Sequence, residues 1–168
     1  MKHIPQITVI SDCLDANARG RQEIRYRTLF DGVNPTFIGS ENEIQAAGNL
    51  VDALDASREH LNKEYNIFVV NVAPRGDKKY KNGIPFCYAK TENGIIVGTP
   101  NCFSLVQKLG LLSEVHETDV LEVCRKFMPK KEALRIAGSQ FRSFEYLPLL
   151  AKWIYENKEE IPIRSVKT

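Results

Sequence analysis

Residues 66–102, N-I-F-V-V-N-V-A-P-R-G-D-K-K-Y-K-N-G-I-P-F-C-Y-A-K-T-E-N-G-I-I-V-G-T-P-N-C, decide the fold. Residues 67–72 form a nearly unbroken apolar run rich in β-branched side chains, which predicts a central strand covered on both faces. The polar loop at 74–83 leaves the C-terminal end of that strand, where open α/β sheets place their ligands. Asn93-Gly94, between Tyr88-Ala89-Lys90 and Ile95-Ile96-Val97, predicts a hairpin whose tight turn needs a positive φ.

Outward from this unit, strands alternate with helices. Residues 7–10 read as a short strand ending at Ser11-Asp12. A basic helix follows over 18–30, with Ile24, Leu29 and Phe30 inward and Arg19, Arg21, Arg25 and Arg27 toward solvent. Residues 36–39 are a second strand. Ser40 and Glu43 then form a capping box, S-x-x-E, ahead of a helix whose apolar face is Ile44, Ala47, Gly48, Val51 and Leu54. Beyond the hairpin, a short helix over 102–109 ends at Gly110, and 111–117 is read as another strand. Thr118 or Asp119 caps a helix running to Met128. Residues 130–141 fit helix or strand. The last helix spans about 145–159 with Leu147, Leu150, Ala151 and Ile154 inward, and Pro148 requires its first turn to lie there. The tail from Ile163 is expected to be loose. The fold class is therefore α/β: a single domain over residues 1–168, a three-layer-like sandwich with a mixed, mostly parallel sheet.

Composition narrows the function classes. At 168 residues and 43% hydrophobic content the chain can bury a substantial core. A formal charge of +2 is too mild to point to nucleic acid by itself. No apolar run approaches a membrane span, and Asp12 interrupts the only apolar stretch near the N-terminus, so a cytoplasmic protein is expected. Cys13, Cys87, Cys102 and Cys124 lack metal-ligand spacing and read as reduced thiols.

Asp12, at the tip of the first strand, is the clearest functional candidate. A carboxylate there can accept both hydrogens of a ribose diol, or can cap the following turn through its own backbone. Asn17 can reinforce either role. Arg75, Lys78, Lys79 and Lys81 can clamp an anion or form a solvated loop. Arg19 to Arg27 can extend that loop into a basic face for RNA, or remain an exposed helix face. His116 can serve as a base only if its strand ends at the crevice. No nucleophile elbow, P-loop or dinucleotide fingerprint is present.

Together these pieces resemble the S-adenosylmethionine (SAM) hydroxide adenosyltransferase and fluorinase/chlorinase family, N-terminal domain only. Ser11-Asp12-Cys13-Leu14-Asp15-Ala16-Asn17 looks like the family's T-D-F-G-x-x-D. Asn71-Val72-Ala73-Pro74-Arg75-Gly76-Asp77 looks like V-V-D-P-G-V-G. Val97-Gly98-Thr99-Pro100-Asn101-Cys102 looks like V-G-P-D-N-G, and residues 141–148 look like F-H-G-R-D-x-F-x-P, one residue shorter. The resemblance covers about residues 5–160.

It implies binding of SAM or another adenosine-containing ligand, with nucleophilic cleavage at the ribose C5′. Asp12 would hold the ribose, Asn17 and Asn101 would assist, and Ser143 would face the reacting centre. Arg75 or Lys78 would meet an anionic group. The family's water-orienting Asp, Arg and His fall at Ala73, Tyr80 and Phe141 or Arg142, so the usual route to hydroxide is missing. The family's C-terminal β-domain is also missing, so a homo-oligomer, trimeric by the resemblance, or a partner chain would have to complete the pocket. Two other readings stay open: a non-catalytic scaffold that keeps the fold, and a nucleotide- or RNA-associated protein using the basic face.

Overall fold

The computed structural model describes residues 3–58, 64–72, 85–112, 114–156 and 160–164. Six strands form one sheet: β1 (Gln6–Ser11), β2 (Thr36–Gly39), β3 (Asn66–Asn71), β4 (Phe86–Thr91), β5 (Gly94–Gly98) and β6 (His116–Thr118). Their spatial order is β2-β1-β3-β5-β4-β6. β2, β1, β3 and β5 are mutually parallel, and β4 runs antiparallel to both of its neighbours. The expected α/β sandwich with a mixed, mostly parallel sheet is what the chain adopts.

Strand alternation divides the core in two. Ile7, Val9, Ile67, Val69, Ile95 and Val97 face one side. There they meet α1 (Ala16–Leu29), α4 (Val120–Phe127), α5 (Lys130–Ala137) and α6 (Arg142–Tyr155). Ile10, Phe68, Val70 and Ile96 face the other side, against α2 (Glu43–Ala56) and α3 (Ser104–Lys108). The chain leaves β1 for β2 through α1 and returns to β3, on β1's other flank, through α2. The strand order therefore reverses beside β1, and the C-terminal ends of β1 and β3 diverge into a crevice.

The hairpin forms, but not as the turn chemistry predicts. The connection between β4 and β5 is Glu92-Asn93, with Thr91 paired to Gly94. Among the described glycines, positive φ occurs at Gly32 and Gly110 rather than at Gly94. Gly94 serves close packing instead: a Cβ there would lie 1.8 Å from the Asn66 carbonyl oxygen. Gly98 meets the Val70 carbonyl in the same way, at 1.9 Å. Both glycines let β5 approach β3.

Several expected boundaries shift. Asn42, not Ser40, caps α2: its side chain accepts from the Gln45 N–H, so the S-x-x-E box is not formed. The inward face of α2 is Ala46, Ala47, Leu50 and Leu54, while Ile44 is 80% exposed. In α1, capped by Asp15, the residue buried is Tyr26, and Ile24 is 68% exposed. Phe30 is buried as expected, and Arg25 is half-buried rather than solvent-facing. Residues 111–117 contribute only a short strand, β6, because Leu112 drops into the core beside α3 instead of extending a ladder.

Residues 130–137 settle as helix, with Ala133 and Ile136 inward. Asp119 caps α4 through the Glu122 N–H. Gly110, at φ 68°, follows α3 as expected. α6 begins at Arg142, so Pro148 lies inside it, well past the first turn, where it has no N–H to offer the Phe144 carbonyl. The tail is held as far as Arg164, whose backbone N–H donates to the Glu117 carbonyl and whose guanidinium pairs with Asp119.

Candidate functional site

On the α1/α6 side the alternation of β1 and β3 ends in two polar residues. Ser11 follows Ile7 and Val9, and Asn71 follows Ile67 and Val69. Both line a hollow of about 590 Å³, counting its open mouth. Its walls are one face of α1 (Ala18, Arg21, Gln22 and Tyr26) and the start of α6 (Phe141, Ser143, Phe144, Leu147 and Pro148), with Cys13 at the rim. A largely apolar concavity with a few convergent polar groups, at the point where the strand order reverses, has the character of a small-molecule site.

The polar groups are held locally. The Ser11 hydroxyl accepts the Cys13 N–H at 3.1 Å, and the Gln22 amide donates to the Cys13 carbonyl at 3.2 Å, which fixes the turn after β1. Arg25 donates to the Glu145 carbonyl at 3.4 Å, tying α1 to the first turn of α6. The Arg21 guanidinium lies over two rings, 4.6 Å from the Phe144 centroid and 5.4 Å from that of Phe141, a residue 58% exposed. Burial raises the Tyr26 phenol well above its ordinary range, with Arg25 partly opposing, so it stays protonated. Ser11, Gln22, Asn71 and Ser143 carry no proton that titrates near neutrality. Among the described residues this wall holds polar groups that can donate or accept hydrogen bonds, and no carboxylate or imidazole to act as a base.

Of the ligand-binding residues implied by the resemblance, Ser143 lines this hollow, and Arg21, Cys13 and Phe141, singled out in the sequence for other reasons, line it too. Asp12 sits between Ser11 and Cys13 at the rim, half-buried, and does not line it. One step beyond Ser11 it continues the Thr8–Ile10 face, toward α2 and α3, and its charge bears on the Cys102 thiol. Burial raises that thiol, opposed by hydrogen bonds from Thr99 and Val72, and Glu43 and Asp12 add to the rise. Asn17 is exposed in the first turn of α1, its backbone N–H donating to the Asp15 carboxylate. Asn101 belongs to the short 3-10 turn Pro100–Cys102, and its Nδ2 is buried without a hydrogen-bond partner. Arg75 and Lys78, with Lys79 and Lys81, lie outside the described residues, as do Ala73 and Tyr80.

Other candidates fall elsewhere. His116 is followed by two more residues of β6; its ring lies tilted against Tyr88 with centroids 4.9 Å apart, and its Nε2 is 3.5 Å from the Glu114 carboxylate, away from the crevice. Arg142 lies with its guanidinium 5.7 Å from the Phe86 ring centroid, and burial lowers its pKa. The arginines of α1 do not share one face. Arg19 lies over Phe37, Arg21 over Phe141 and Phe144, and Arg27 pairs with Glu23 at 2.8 Å.

The residues missed from the sequence are Ser11, Gln22, Asn71, Arg21 in this role, and Pro148. Ser11 and Asn71 had a signal: each is the first polar residue after alternating apolar positions on one face of its strand.

No protein-family profile and no curated protein matches the chain. Among solved structures it is similar to the crystal structure of an uncharacterized conserved protein from Thermotoga maritima. The TM-score is 0.61 at 15% identity, over 97% of this chain and 61% of that one. At that identity the likeness is one of fold. The chain spans less than two thirds of that neighbour's length. Among the described residues no helix is long and apolar enough to cross a membrane, and no group of three His, Cys, Asp or Glu could hold a metal ion.

Proposed function

We propose that this domain binds an adenosine-containing small molecule, with SAM the first candidate, at the C-terminal ends of β1 and β3. The observation that carries the reading is the hollow where the strand order reverses, lined by Ser11, Asn71 and Ser143 and flanked by aromatic rings. Its hydroxyls and amide suit hydrogen-bonding to a base or sugar, and the exposed ring of Phe141 offers a stacking surface. In this reading the ligand crosses the strand tips, so that the ribose reaches Asp12 at the rim. Asn17 and Asn101 are placed secondarily by the same resemblance.

Binding is favoured over turnover, because the described wall offers no general base. Cleavage at C5′ is the finer proposal, and a homo-oligomer or partner chain closing the open mouth goes with it. Calorimetry with adenosine and SAM tests binding, and chromatography of a SAM incubation for released methionine tests cleavage. Replacing Asp12 with Ala is expected to weaken adenosine by about 1.5–3 kcal/mol, the loss of charged hydrogen bonds to the ribose. Heat with neither compound would leave the scaffold reading in place; an unchanged affinity in the Asp12 variant would remove the ribose role alone.

A further inference from the structure

We infer that Arg21 reads an oxyanion carried by the ligand of this hollow, so that the preferred ligand is anionic at one end rather than a neutral nucleoside. This rests on the hollow being a nucleoside site. Arg21 lines it, and its guanidinium carbon lies 4.6 Å from the Phe144 ring centroid and 5.4 Å from that of Phe141. Among the described residues no carboxylate is paired with it, in contrast to Arg27 with Glu23 and Arg135 with Glu145. A guanidinium over aromatic rings uses its face there and leaves the planar fork of edge N–H groups, which matches a carboxylate or phosphate, for another partner.

The surroundings point the same way. α6 is 14 residues long and starts at this wall, and no side chain caps its first turn. Its N-terminal dipole therefore adds positive potential beside Arg21. The Ser143 hydroxyl lies in the same turn and can donate to the same oxyanion. Glu145, the acidic residue of that turn, is drawn away by Arg135 at 2.8 Å.

Titration calorimetry with adenosine, AMP and SAM tests this on the full chain, with Arg21→Gln and Arg21→Lys alongside. AMP or SAM is expected to bind roughly tenfold tighter than adenosine, with the gain abolished in Arg21→Gln and partly kept in Arg21→Lys. AMP alone showing the gain identifies a phosphate, and SAM alone a carboxylate. Adenosine is expected to weaken less in Arg21→Gln than the anionic probe that shows the gain, since only the latter offers an oxyanion to the guanidinium. Three results would overturn the inference: equal affinity for all three compounds, a gain that survives in Arg21→Gln, or adenosine weakened as much as the anionic probes. In each case the nucleoside site itself stands if adenosine binds, whereas no binding of any probe removes both.

Discussion

The two faces of the sheet treat the same strand tips in opposite ways. On the α1/α6 face, β1 and β3 end in Ser11 and Asn71, and a hollow remains between these tips and the two helices. On the α2/α3 face the next residues are Asp12 and Val72. There Val72 is buried, and the turn at Pro100–Cys102 packs down over the strands. The Thr99 hydroxyl lies 3.3 Å from both the N–H and the carbonyl of Val72. The difference teaches that a tip residue's role follows from its parity along the strand. At β3 a shift of one position, from Asn71 to Val72, moves a side chain from the hollow to a closed core, whereas at β1 the next residue, Asp12, stays half-buried at the rim.

The largest effect that tests this arrangement lies between the faces. Gly98→Ala would place a Cβ 1.9 Å from the Val70 carbonyl oxygen, and backbone cannot yield as a flexible side chain does. It is expected to cost more than about 4 kcal/mol or to prevent folding, read by denaturant melts. A near-neutral variant would show that β3 and β5 do not pack as described.

A paired truncation sharpens the comparison next. Leu50 is sealed beneath α2, whereas Leu147 borders the hollow. Leu50→Ala is expected to cost about 3–4 kcal/mol, leaving an enclosed void, and Leu147→Ala about 2, since its void joins an open one. Equal costs would mean that the α1/α6 face is closed as well.

A smaller loss is expected from Tyr146→Phe. The Tyr146 hydroxyl donates to Thr118 Oγ1 at 2.8 Å, which in turn donates to the Phe86 carbonyl at 2.8 Å. Cutting the first link is expected to lower stability by about 1 kcal/mol, because the second remains. A loss above about 3 kcal/mol would show that the chain acts as one unit.

Thiol reactivity should change nothing in stability, yet it reads the two faces directly. Cys13 is exposed at the rim, while Cys87, Cys102 and Cys124 are buried. Burial pushes Cys87 and Cys124 up to about 12, with Glu117 and Asp119 respectively adding to the rise. Native protein at pH 8 is expected to label at Cys13 alone, and the unfolded chain at all four positions. Rapid native labelling of Cys102 would show that the α2/α3 side opens too.

Much of the fold was legible in the sequence, because strand signals are local. The apolar run of β3, the hairpin and the β1 and β2 strands all follow from alternation and composition. Helix faces were harder. Ile44 and Ile24 look like core by hydropathy, but small Ala46 and Ala47 let α2 lie close on the sheet, and Tyr26 fills the space under α1. Gly94 was read for turn geometry when its role is a close approach across strands, a fact that no window around residue 94 contains. The site divides in the same way. Ser143 drew notice through a motif and lines the hollow, and Asp12 drew notice as a charge at a strand end, although Ser11 is the residue whose parity reaches the hollow. Arg21's aromatic clasp joins residues more than a hundred positions apart and has no local signature.

The central claim, that the hollow above Ser11 and Asn71 is where a ligand sits, is tested most directly by titrating adenosine into isotope-labelled protein and following backbone amide shifts. The account predicts saturable changes at Ser11, Cys13, Asn71 and Ser143, with the opposite end of the sheet near Leu29 and Tyr155 undisturbed. Saturable changes confined to that opposite end, or none anywhere, would contradict it.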